Sequence, residues 1–194
     1  MTKQVIKILG ASNHTADERE QNDFYATDPK ALTDFLRAFN ADGETVNEHV
    51  WECSAGEGNL SRVLLERGHD VRSTDLIDRG FGECLDFLNV SDDEKWNGDI
   101  LTNPPYKHAE QFVEKAMSIV DDGSRVFMLF KLQFVESKRR IKLFERYPIK
   151  YIYVHSHRIK IIKNNTTPVP NALCYAWFIW EKGFQGDTVI RWIR

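Results

Sequence analysis

Six short apolar runs separated by helical patterns constrain this chain more than any other feature. They are "HVWEC", "DVRSTD", "GDILTN", "SRVFMLF", "IKYIYVH" and "ALCYAWFIW". Apolar spacing of the helical kind marks "TDPKALTDFLRAFN" ahead of the first run, then "LSRVLLERG", "AEQFVEKAMSIV" and "SKRRIKLFERY" between later ones. In the first of these helices Thr27 or Asp28 is the N-cap and Pro29 takes the first helical position. Gly68 stops the second, and Ser137 stands as N-cap of the last. Strands that alternate with helices imply a mostly parallel sheet covered on both faces, an α/β fold. Residues 76–98 read as irregular with one helical turn, and the loop 156–171 is too long for a simple connection.

A chain of 194 residues suits a single domain over 1–194, with a polar, partly mobile segment at 1–22. Apolar residues make up 42% and charged residues 28%, and twelve Phe with five Trp supply a core, so disorder is excluded. No run is long or apolar enough for a membrane span, and the first twenty residues lack a signal-peptide pattern. The chain therefore reads as intracellular and cytoplasmic. Cys53, Cys84 and Cys174 are far apart and form no CxxC or Cys/His cluster, so no metal site and no disulfide framework is expected. His108, His155 and His157 sit near strand ends and fit surface or core positions better than that of a general base.

Two motifs carry chemistry. In "VWECSAGEGNLSRVL", Glu52 ends a strand and the small residues Ser54 to Gly58 turn into a helix, which lets a ligand approach the backbone and the helix's first N–H groups. A turn of this kind also arises wherever a strand meets a helix tightly. It is not the phosphate-cradling G-x-x-x-x-G-K-[ST] pattern. Asp75, at the end of the next strand, is placed to accept hydrogen bonds from both hydroxyls of a ribose, so a nucleoside-containing cofactor leads. The second motif is Asn103-Pro104-Pro105-Tyr106, where two prolines remove two backbone donors although an ordinary turn needs one. Methylation of an amine conjugated to a ring or carbonyl needs acceptors for its two hydrogens, and the Asn103 side-chain oxygen and the Pro104 carbonyl can supply them. The prolines stiffen that arrangement before a substrate arrives, and Tyr106 offers a ring for stacking.

At these residues the chain resembles the class I S-adenosylmethionine-dependent methyltransferases, and among them the phage-type and restriction-modification-like DNA adenine-N6 enzymes. "ECSAGEG" is similar to their cofactor motif, "NPPY" to their catalytic motif, and "DFYATDP" to the N-terminal motif that closes over the cofactor's methionine part. The resemblance spans roughly residues 23–181 and implies a Rossmann-like fold of about seven strands, the last antiparallel. It implies that Phe24, Tyr25 and Thr27 line the cofactor site, that Glu52, Ser54, Gly56 and Gly58 hold the amino-acid part, and that Asp75 and Asp86 hold the ribose and adenine. Asn103, Pro104, Pro105 and Tyr106 would form the catalytic pocket, with Asn103 also beside the cofactor.

Charge is distributed unevenly. Residues 1–130 carry 13 basic against 25 acidic side chains, whereas 131–163 carry 10 against 2. A polyanion-facing surface is expected there, through Lys138, Arg139, Arg140, Lys142, Arg158, Lys160 and Lys163. DNA is the leading partner, with RNA and a protein glutamine amide as alternatives, and a non-catalytic cofactor-binding module as an alternative of another class. A large target-recognition region is lacking, so only the loop 156–171 and the helix at 137–147 are left to serve that purpose. Oligomeric state stays open.

Overall fold

The computed structural model describes residues 25–159, 161–163 and 173–194; of Tyr25 and 161–163 it describes the backbone alone. Phe24, Lys160 and most of the loop 156–171 therefore lie outside the described residues, as does the segment 1–22.

Eight strands form one sheet. In chain order the elements are β1 (Tyr25–Thr27), α1 (Pro29–Ala41), β2 (His49–Glu52), α2 (Asn59–Leu65), β3 (Asp70–Asp75), β4 (Glu83–Cys84) and β5 (Asp99–Thr102). They continue with α3 (Ala109–Ile119), β6 (Arg125–Lys131), α4 (Ile141–Arg146), β7 (Tyr151–His155), β8 (Ile161–Lys163), β9 (Tyr175–Glu181) and β10 (Val189–Ile193). The sheet order is β10-β7-β9-β6-β5-β2-β3-β4. Every pairing is parallel except those of β9, which runs antiparallel between β6 and β7. β1 and β8 make a separate two-stranded antiparallel sheet.

The core follows from the pleat. Along β6, Val126, Met128 and Phe130 face one cluster, with α3 residues such as Val113 and Met117 over them, while Phe127 and Leu129 face the other, under Phe35 and Phe39 of α1. β6 and β9 are buried on both faces, which is why they read as continuous apolar runs. Asp28 caps α1, its carboxylate accepting from the Lys30 N–H at 2.9 Å, with Pro29 at the first position.

Three expectations need correction. The last strand is not the antiparallel one, because β10 follows β9 and pairs parallel with β7 at the sheet's edge. Its exposed Val189, Ile190 and Trp192 hide the alternation by which a half-buried strand is normally recognised. The region 76–98 contains β4 besides a single 3-10 turn at Phe87–Asn89. The basic helix at 137–147 is two pieces, a 3-10 turn at Lys138–Arg140 and then α4, and the Ser137 side chain makes no cap hydrogen bond.

Trp177 on β9 ties the α1 face together. Its ring stacks on Phe35 at 5.1 Å and its indole N–H donates to the Ala31 carbonyl at 3.3 Å. Trp177→Ala is expected to cost about 3–5 kcal/mol, read as a lower urea midpoint with unchanged slope.

Candidate active site

Parallel pairing brings the carboxyl ends of β2, β3 and β5 to one edge, and a cavity of about 320 Å³ opens there. Its lining includes Thr27, Glu52, Ser54, Gly56, Asp75, Asp86, Asn103, Pro104, Pro105 and Tyr106. Ten expected site residues from five separate stretches of chain therefore share one space. Gly58 does not line it. It precedes α2 with φ of 81°, and a Cβ there would meet the Phe81 ring at 2.5 Å, so this glycine is needed for backbone conformation and packing.

Hydrogen bonds between loops set the shape of the cavity. Asp75 accepts the Gly56 N–H at 2.8 Å on one carboxylate oxygen and the Ile77 N–H at 3.0 Å on the other. The Ala55 N–H donates to the Thr74 carbonyl at 2.9 Å, so the turn after β2 is stitched to the end of β3. Asp86 begins the 3-10 turn, accepting from the Leu88 N–H at 3.0 Å and the Asn89 side chain at 2.7 Å. Both aspartates line the cavity, and two donors do not exhaust the accepting capacity of a carboxylate.

Asn103 occupies the junction. Its Nδ2 donates to the Thr27 hydroxyl at 2.7 Å, and Oδ1 is buried with no hydrogen-bond partner. A buried acceptor left unpaired costs about 1–3 kcal/mol, and a donor arriving from the cavity relieves it. Thr27 is itself held, its carbonyl accepting from the Asn59 side chain at 3.2 Å. Pro105 is extended, with φ of −56° and ψ of 120°, and Tyr106 opens a 3-10 turn in which the Lys131 ammonium lies 5.1 Å from its ring centroid.

Glu52 differs from the other acids. It is fully buried, and desolvation, with a smaller push from Asp75, raises its pKa to about 8 against the lowering effect of Ser61. The Ser61 hydroxyl donates to it and also meets the Ser73 hydroxyl at 2.7 Å. Burial likewise pushes the Cys53 thiol up. His108 lines the cavity, His157 pairs with Asp34 at 3.4 Å, and His155 is buried on β7 with its pKa lowered to about 4 by desolvation.

The basic residues divide. Lys138, Lys142 and Arg158 are exposed, but Arg139 and Arg140 both pair with Glu110, and Arg140 also lies over the Phe134 ring at 4.6 Å. Sequence reasoning missed Glu110, and it missed the apolar walls Leu76, Ile77, Phe87 and Phe112. The walls had a signal, because Leu76 and Ile77 directly follow the strand-end acid and Phe87 directly follows Asp86.

No family model and no curated protein matches the chain. Solved structures do. A protein from Pyrococcus horikoshii assigned as an RNA methyltransferase aligns at 17% identity and a TM-score of 0.63 over 94% of this chain and 98% of its own. A class I S-adenosylmethionine-dependent methyltransferase from Listeria monocytogenes aligns at 12% and 0.54, covering 96% and 70%. The type IIG restriction endonuclease BpuSI aligns at 15% and 0.57, with 85% of this chain matching 26% of that larger one. At these identities the likeness is one of fold, and the fold is the Rossmann-like one of class I methyltransferases.

Glu52 gives a pH test. The native state keeps a proton that the unfolded chain has lost between about pH 4.5 and pH 8, so stability falls as pH rises through that window. Glu52→Gln removes the effect. Between pH 5 and pH 8 the variant should gain on the order of 3 kcal/mol relative to wild type, measured by urea unfolding at both values.

Proposed function

We propose that the chain is an S-adenosylmethionine-dependent methyltransferase acting on the exocyclic amine of a nucleic-acid base, adenine N6 of DNA before RNA. The observation that carries this is the buried, unpaired Oδ1 of Asn103, a residue that lines the cavity, is fixed through its Nδ2 on Thr27 and is followed by two prolines. A rigid acceptor at this position is what methylation of an amine requires.

The bound cofactor supplies an electrophilic methyl group on a sulfonium. The turn Ser54 to Gly56 and Glu52 would hold its amino-acid part, Asp75 its ribose hydroxyls and Asp86 its adenine amine, between Leu76, Ile77 and Phe87. Glu52 would release its proton as an ammonium settles beside it. Asn103 Oδ1 and the Pro104 carbonyl accept the two amine hydrogens, which turns the nitrogen lone pair toward the electrophile. The surplus proton leaves to water after transfer. Tyr106 packs against the planar target. A base inside a duplex would have to be flipped to reach this depth.

Nucleic acid is favoured over a glutamine amide by the basic stretch 131–163, with Lys138, Lys142 and Arg158 exposed. Lys131 over Tyr106 brings positive charge to the mouth itself. The deciding experiment incubates purified protein and labelled cofactor with unmodified DNA, RNA and glutamine peptides, and identifies the product by mass spectrometry. N6-methyladenosine in RNA alone, or methylglutamine, would redirect the substrate assignment. No product from any of the three would leave a cofactor-binding module.

Asn103→Ala should lower turnover by roughly 10²-fold or more, the scale for one preorganised polar group, while cofactor affinity measured by calorimetry changes little. The double variant Lys138→Ala, Lys142→Ala should reduce the salt slope of DNA binding by about 2, since each phosphate contact contributes about 0.9. An unchanged slope would remove this turn from the nucleic-acid surface.

A further inference from the structure

Beside the catalytic mouth lies a second cavity of about 360 Å³, which shares Tyr106 and Lys107 with the first and is lined further by Ala109, Glu110, Gln111, Glu114, Arg139 and Arg140. Glu110, on the first turn of α3, is three-quarters buried, with 24% of its side chain exposed. One of its oxygens, Oε1, takes all three donors: Arg139 Nη2 at 2.7 Å, Arg139 Nε at 3.1 Å and Arg140 Nε at 3.1 Å. Among the described residues Oε2 accepts none.

The two arginines are held differently. Arg140 also donates to the Phe134 carbonyl at 3.0 Å, lies over the Phe134 ring and is 21% exposed, which by itself docks the 138–140 turn onto α3. Arg139 is 77% exposed, and among the described residues Glu110 is its only hold. An exposed pair of this kind adds little to stability, so the second guanidinium is not needed for the fold. It leaves a bare carboxylate oxygen and an exchangeable guanidinium side by side, facing a cavity next to the catalytic motif.

That pair complements the Watson–Crick edge of guanine, which offers two adjacent N–H donors and one carbonyl acceptor. Carboxylates accept from base amines, arginine donates to guanine O6, and unstacked bases are read on these edges. We propose that this cavity seats a guanine flanking the target base, with Glu110 accepting from its N1–H and N2–H and Arg139 moving over to its O6. Adenine and cytosine present one donor beside an acceptor and would satisfy only one carboxylate oxygen. The assignment rests on the nucleic-acid methyltransferase reading and makes Glu110 a determinant of sequence context.

The test measures kcat/KM on oligonucleotides carrying one adenine with each combination of flanking bases. Wild type should favour a flanking guanine by roughly tenfold, within the range for a bidentate base contact. Glu110→Gln should abolish that preference and shift it toward cytosine, whose N4–H and N3 match a carboxamide while its O2 still accepts from Arg139. Arg139→Ala, at an exposed position, should reduce the preference with an unchanged melting temperature. Methylation with no flanking preference overturns the assignment and leaves the parent reading intact. So does a Glu110→Gln protein that melts earlier but keeps the wild-type context ratio, since that is the behaviour of a purely structural ion pair. If no nucleic acid is methylated, both readings fall together.

Discussion

Parallel pairing is the constraint on which everything else rests. In a parallel ladder each strand ends on the same edge as its neighbour, so Glu52 pairs opposite Ser73 and Thr102 opposite Met128, and the residues just beyond them are delivered to one rim. Glu52, Asp75 and Asn103 need no further device to find each other. What remains is to orient them, and the loops do that with hydrogen bonds: the Gly56 and Ile77 N–H groups donate to Asp75, and the Thr27 hydroxyl accepts from the Asn103 side-chain amide.

The orientation has an energetic cost that identifies the site. A neutral Glu52 sealed in the interior and an Asn103 oxygen without a donor are both arrangements that folding alone disfavours. Other interior polar groups are satisfied in ordinary ways, as two examples show. Asp99, almost fully buried, accepts the N–H groups of Asn47 and Arg125 at 2.8 Å each, and the Tyr153 hydroxyl donates to Asp42 at 2.7 Å. Frustration of this kind at the place where the chemistry is proposed is what a preorganised site entails.

Strand and helix alternation, the acid at the end of β3 and the rigid Asn-Pro-Pro-Tyr turn were all legible in the sequence, because each is a local pattern with a local cause. β10 was not, because its apolar residues are half exposed and its pairing with β7 is decided by tertiary context. Nor was the role of Thr27, which meets Asn103 across 76 positions of chain. Gly58 was assigned to the ligand because glycine at a strand-to-helix turn serves two masters, and only the Phe81 ring shows which one. Glu110 looked like an ordinary acid in a helix's first turn; that it gathers two arginines from a segment 29 and 30 positions away is a fact of topology.

β9 has a consequence for how the chain acquires its shape. It fills a slot between β6 and β7, two strands that precede it and do not touch each other in the finished sheet. Until residues 175–181 have left the ribosome, β6 and β7 each present an open edge, and β6 is apolar on both sides. Nascent chains at that stage resemble an unzipped seam, prone to joining with the same seam on another molecule. Closure is thus the late, non-local event in folding, and translation speed through the stretch before Tyr175 sets how long the seam stays open.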